Sequence, residues 1–268
     1  MNGIISVDKR RVAASFSRAA TSYDDAAHLQ RTIGHALMER LPAGLAPACV
    51  LDVGCGTGYF TRQLAKRFPG AAMLGLDLAH GMLTHARQHT SEATTWLQGD
   101  AERLPLAAES MELVFSSLAV QWCAGLDGFL AEAARVLRPG GWLAFTTLGD
   151  GTLHELKALW QDIDPFVHVN EFLSRETIEA SVTCSSLTPV MHQYQRHVIY
   201  HATPEAMMRE LKAIGARNSN AGRTPGLTGR QRLMCLRKGY EPLRTPAGLP
   251  TTYHACYLLL KKPLKPSP

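Results

Sequence analysis

Apolar and polar positions along the chain switch between a strand-like and a helix-like period. The runs CVLDVG (49–54), AAMLGLDL (71–78), TTWLQGD (94–100), MELVFSSLA (111–119) and WLAFTTL (142–148) read as strands. TRQLAKRF (61–68), GMLTHARQH (81–89) and LDGFLAEAARVL (126–137) carry helical spacing, the last stopping at Pro139-Gly140-Gly141. Strand–helix alternation with short links predicts an α/β, doubly wound, mostly parallel sheet. The flanks break the scheme. Residues 6–41 predict two helices, the second with Leu29, Ile33, Leu37 and Leu41 at helical spacing. Further on come helices at 153–163 and 174–182, a strand at 191–201 and a helix at 204–215. A polar loop (216–226), a basic helix (228–240) and a last strand (251–262) follow. The helices outside the alternation are expected to cover the C-terminal edge of the sheet. The expected division is a helical cap (1–45), a core (46–202), a basic helical lid (203–245), a final core strand (246–262) and a disordered tail (263–268).

Composition changes this picture little. Nearly half the 268 residues are apolar and 19% are charged, which is ordinary globular usage. No run reaches the length of a membrane span, and the first residues, MNGIISVDKRR, lack a secretory apolar region. The six cysteines are scattered without C-x-x-C spacing and read as reduced packing residues, with no metal expected. A cytoplasmic protein fits these features. Charge adds more. Residues 1–200 hold 16 Lys and Arg against 20 Asp and Glu, whereas residues 201–268 hold 12 against 3. So basic a segment suits an acidic partner. It lacks any nucleic-acid recognition motif and regular aromatic interleaving, so neither nucleic acid nor membrane is the expected partner, and a plain solvated surface stays open beside an acidic partner.

The chemistry begins at VLDVGCGTGYF, where Asp52, Gly54, Gly56 and Gly58 fall on a strand-to-helix turn. Glycines there permit positive φ and close approach of backbone to a ligand. A dinucleotide fingerprint would want a third small residue at 59, which is Tyr59, and a pyrophosphate would not favour Asp52 beside it. A cationic amino-acid head group would. The D-x-G-x-G-x-G spacing resembles motif I of the class I S-adenosylmethionine (SAM)-dependent methyltransferases, which implies a seven-stranded Rossmann-like sheet with a helical lid. On that resemblance Asp77, ending the second strand, would hold the ribose hydroxyls. Asp100, ending the third, would receive the adenine amino group beside the Ala101 N–H. LRPGG (137–141) before the fifth strand completes the series. The expected cofactor set is Tyr23, Gln30, Asp52, Gly54, Gly56, Gly58, Asp77, Leu78, Asp100, Ala101 and Ser117, with S-adenosylhomocysteine as product.

The acceptor site of such enzymes lies beyond the fourth strand, at SSLAVQW. No Asp, Glu, Lys or His stands between Ser116 and Cys123, which suits an acceptor already ionised, such as a carboxylate. His28, His168 or His254 could still fold back into the site. Nearly the whole chain resembles the malonyl-acyl-carrier-protein O-methyltransferases of biotin synthesis (BioC type). The matches are Phe16, Arg18, Ala19, Tyr23, Leu29 and Gln30; LAVQW (118–122); and Trp160, Asp164, His168, Asn170 and Phe172. LKAIGA (211–216), Gly222-Arg223 and TYH (252–254) extend them. The tail KKPLKPSP has no match. The resemblance implies methylation of a malonyl carboxylate carried on the phosphopantetheine arm of acyl carrier protein. Tyr23 would then cap the sulfonium, and Gln121 and Trp122 would line the malonyl channel. Arg223, or else Lys212 or Arg217, would face the malonyl carboxylate, and Arg230, Arg232, Arg237 and Lys238 would meet the carrier. Three alternatives stay open: a methyltransferase for free carboxylic acids or quinone precursors, a non-catalytic SAM-binding partner, and a non-specific nucleic-acid binder.

Overall fold

A computed structural model describes residues 7–90, 94–216 and 230–265. Seven strands form one sheet: β1 (Cys49–Val53), β2 (Ala72–Asp77), β3 (Thr94–Gln98), β4 (Met111–Ser117), β5 (Leu137–Leu148), β6 (Thr188–His201) and β7 (Leu249–Lys261). Their order is β3-β2-β1-β4-β5-β7-β6, with β7 antiparallel to both neighbours and the pairs among β1 to β5 parallel. The chain reverses direction across the sheet between β1 and β4, where an open α/β sheet leaves a crevice at its strand ends.

Period-two alternation sends neighbouring residues to opposite faces. Val50, Leu113, Phe115 and Ala144 join one buried cluster, and Leu51, Val53, Val114, Leu143 and Phe145 the other. Helices α1 (Lys9–Ala19), α2 (Tyr23–Ala26), α3 (His28–Glu39), α4 (Tyr59–Arg67), α5 (His80–Gln88), α6 (Leu126–Val136), α7 (His154–Ile163), α8 (Arg175–Cys184), α9 (Pro204–Ala213) and α10 (Arg230–Tyr240) surround it. Residues of α3, α7, α9 and α10 pack on the first face, and residues of α6 and α8 on the second.

Two expectations need correction. The N-terminal region holds three helices, not two: Ser22 turns the chain, its N–H and hydroxyl donating to the Ala19 carbonyl and the hydroxyl also to Ala213. The fifth strand starts at Leu137, not Trp142, because Leu137 already pairs with Met111, with a register shift before Leu113. LRPGG is therefore the opening of β5, and the positive φ of Gly140 belongs to that irregular stretch. In the tail, Lys265 Nζ lies 2.9 Å from Glu109, so ordered contacts reach past 263. Positions 266–268 lie outside the described residues.

Candidate active site

The parallel strands present Gly54, Asp77, Asp100 and Ser117 along one rim of a cleft of about 680 Å³. Gly54 has φ +71, and a Cβ there would lie 2.2 Å from that of Ala119, so only glycine lets β1 and β4 end so close together. Gly56 (φ +54) faces open space, leaving room for a ligand against bare backbone. Asp77 ties the rim together, its two carboxylate oxygens accepting from Gly56 N–H (2.8 Å) and Ala79 N–H (2.7 Å). Burial raises its pKa, and hydrogen bonds from Ala79, Gly56 and Leu78 oppose the shift. Leu78, Ala101 and Tyr23 complete the expected members of this wall.

Three expected cofactor residues stand elsewhere. Asp52 is 2% exposed, is absent from the cleft wall, and accepts a 2.6 Å bond from the Thr61 hydroxyl. Burial pushes its carboxyl up to about 7, with Asp77 adding to the shift and Thr61 opposing it. Gly58 begins α4 in the left-handed region, and Gln30 lines a second cavity instead. Sequence reasoning also missed Lys9. From α1 it reaches Asp100 and Glu102 across the cleft mouth. Burial opposes its charge, but its bonds to those two carboxylates outweigh that cost and raise its pKa. Helix α1 seats closely against α5, for a Cβ on Gly81 would come within 2.6 Å of the Ser17 carbonyl oxygen. Helix α2 fastens to the glycine turn through Asp24, which accepts from the Thr57 hydroxyl at 2.9 Å.

The second cavity, about 740 Å³, adjoins the first and shares Phe16, Tyr23, Leu118 and Trp122 with it. Its walls are mostly apolar and come from α1, α3, α7, α9, β7 and the loops after β4 and α7. Leu118 follows β4 with φ +51, a strained value for a leucine, and its N–H is held by Thr146. Gln121 donates to the Leu118 carbonyl at 2.7 Å, while its own Oε1 is buried without a partner. Trp122 meets Phe16 edge-on at 5.3 Å. Burial raises the pKa of Tyr23, reinforced by the charges of Asp77 and Asp24, so its hydroxyl stays protonated.

Of the three candidate histidines, His168 alone lines this cavity. Its ring stacks on Trp160 at 3.7 Å, and its Nε2 lies 2.7 Å from Asp164 Oδ1. Burial disfavours the Asp164 charge, but His168, the Phe166 N–H and Arg232 together hold its carboxyl below the usual range. His28 is exposed, and His254 packs on Gly151. Lys212 lines an outer groove, not the cavity. Arg217, Arg223 and the Arg230 side chain lie outside the described residues. Arg232 pairs with Asp164 at 3.2 Å and Arg237 with Glu205. Among the described residues no cluster of three His, Cys, Asp or Glu could hold a metal, and no helix is long and apolar enough to cross a membrane.

Residues 51–145 match the family model of a methyltransferase domain. The chain is 43% identical over 260 residues to a malonyl-acyl-carrier protein O-methyltransferase of Yersinia pestis, covering 94% of this chain and 91% of that one. The chain belongs to the malonyl-acyl-carrier protein O-methyltransferase family. It is also 48% identical over 257 residues to the biotin biosynthesis bifunctional protein BioHC of Cellvibrio japonicus. That match covers 96% of this chain but 51% of the relative, so the chain spans about half of that longer protein. A Haemonchus contortus phosphoethanolamine N-methyltransferase 2, solved with S-adenosyl-L-methionine, superposes with a TM-score of 0.58. It is 20% identical, over 92% of this chain and 57% of its own, and shares the class I methyltransferase fold.

Proposed function

We propose that this chain methylates the free carboxylate of a malonyl thioester carried on acyl carrier protein, with SAM as methyl donor, at the start of pimeloyl and biotin synthesis. The observation that carries this reading is the meeting of two cavities at Phe16, Tyr23, Leu118 and Trp122. One is rimmed by strand-end carboxylates and bare glycine backbone, which suits a ribose and an amino-acid moiety. The other is apolar and has no carboxylate or lysine among its described lining residues.

SAM fits the first cavity through Asp77, Asp100, the Gly54–Gly56 backbone and Leu78, and when bound it supplies a methyl group on a positively charged sulfur. The attacking atom would be a carboxylate oxygen, bonding to the methyl carbon as that carbon leaves sulfur, with S-adenosylhomocysteine as the leaving group. No proton moves, so no general base is required. Two opposite charges vanish in the step, and an apolar, water-poor enclosure favours such a reaction. The chain's own work is apposition, which can supply roughly 7–11 kcal/mol. Tyr23, held neutral by burial, offers its phenol dipole and ring at the junction. Gln121 and Trp122 shape the wall after β4. His168 is the described lining residue that would contact the malonyl group: Asp164 takes Nε2–H, leaving Nδ1 as the second polar atom of the ring.

Labelled SAM offered with malonyl-carrier, malonyl-CoA and free malonate tests the reading. Label is expected on malonyl-carrier and not on free malonate. Labelling of neither malonyl thioester would overturn it.

A further inference from the structure

We propose that the groove between α1 and α9 seats the acidic surface of the carrier protein; this rests on the reading that the acceptor arrives on a carrier. The groove is lined by Arg18, Arg209 and Lys212 together with Ser15 and Ser22, and no carboxylate lines it. All three cations are exposed, and among the described residues none has an ion-pair partner. Helix α10, where the sequence placed docking, differs. Its Arg232 and Arg237 are already engaged by Asp164 and Glu205. A cation neutralised within the chain offers less to an approaching partner than a free one.

Position supports the assignment as much as charge. Helices α1 and α9 wall the acceptor cavity with Phe16, Leu211 and Ile214, and turn Arg18, Arg209 and Lys212 to the groove. A partner seated there stands one helix layer from the acceptor cavity. The two helices are fastened: Ser15 donates to the Gly215 carbonyl at 3.1 Å and Ser22 to the Ala213 carbonyl at 3.0 Å. Gly215 has φ +73, and a Cβ on it would lie 3.0 Å from the Phe16 ring. The groove is therefore a shaped surface with a fixed floor, and its charge is unspent. Lys212, expected at the malonyl carboxylate, belongs to this surface instead.

The test compares three acceptors with the triple variant Arg18→Glu, Arg209→Glu, Lys212→Glu. Its kcat/KM on malonyl-carrier should fall about tenfold or more at low salt, and the deficit should shrink as salt screens it. Malonyl-CoA and malonyl-N-acetylcysteamine should stay within about twofold of the unaltered protein. The milder Gln triple should show the same ranking with smaller losses, which covers a misfolded Glu triple. Equal losses on all three acceptors, or none on malonyl-carrier, overturn the proposal. Losses shared by malonyl-carrier and malonyl-CoA overturn it as well, because they would mean phosphate recognition and not a protein surface. Binding of unacylated holo-carrier, followed by fluorescence anisotropy, reads the groove independently of methyl transfer. Binding by the unaltered chain and its loss in the variants is expected. Unaltered binding by the variants, or none by the parent, overturns the groove, whereas carrier binding without any methylated malonyl compound overturns only the functional reading.

Discussion

The two cavities that meet at Tyr23 are built on different principles. The proposed cofactor cleft is made largely by strand ends: Gly54, Asp77, Asp100 and Ser117 sit where parallel strands stop, and glycines let backbone come close. The proposed acceptor cavity is made by side chains from helices and loops scattered along the chain, and its walls are mainly apolar. The first arrangement recognises by fixed hydrogen bonds, so single residues should matter greatly. The second works by shape and exclusion of water, so its residues should matter through substrate affinity and less through SAM. Four substitutions press on that difference, from the largest expected effect to the smallest.

Asp52 lies under the rim of the first cavity, and burial pushes its folded-state pKa up to about 7, above its ordinary value of 3.8. The unfolded chain therefore loses this proton first, and the group's contribution to stability falls as pH rises from about 4 to 7. The decline amounts to roughly 4 kcal/mol. Asp52→Asn should remove it, giving a melting temperature that drops less across that window than the parent's. Identical pH profiles would mean that Asp52 ionises normally. Asp77→Ala removes a carboxylate that organises the Gly56 and Ala79 amides, and should weaken SAM binding by about 1.5–3 kcal/mol in calorimetry. Unchanged SAM affinity would take Asp77 out of the cofactor site.

On the acceptor side, His168→Gln should raise KM for the malonyl thioester about tenfold, the scale of one hydrogen bond. SAM affinity and kcat should hold. A fall confined to kcat would recast His168 as a group acting on the reacting atoms. Lys9→Met bridges the two regions: it leaves Asp100 and Glu102 adjacent without their shared cation and loosens α1. SAM binding should weaken by a few-fold, on the order of 0.5–1 kcal/mol for a partly exposed ion pair. Tighter binding would instead mark Lys9 as a competitor for Asp100.

The same contrast explains what could be read from the chain. Gly54, Gly56, Asp77 and Asp100 are legible because each answers a local demand at the end of a strand whose alternation is plain. Lys9 was invisible, since its partner Asp100 is 91 residues away and nothing local ties them. His168 and Asp164 stand four apart, as on a helix, yet the structure puts them in the loop after α7, so only tertiary packing on Trp160 brings the imidazole to the cavity. Lys212 and Arg232 were placed by charge alone, and charge does not say which face of a helix a residue takes or which carboxylate it meets. Asp52 was read as a ligand from spacing; the structure buries it behind the rim, where it accepts from the Thr61 hydroxyl.

The most direct test of the central claim compares malonyl-carrier with acetyl-carrier as acceptors of label from SAM. The two differ only in the free carboxylate. Label on malonyl-carrier alone, released by mild base as expected of a methyl ester, is the result this account requires. Label on acetyl-carrier, or a base-stable product on malonyl-carrier, would contradict it.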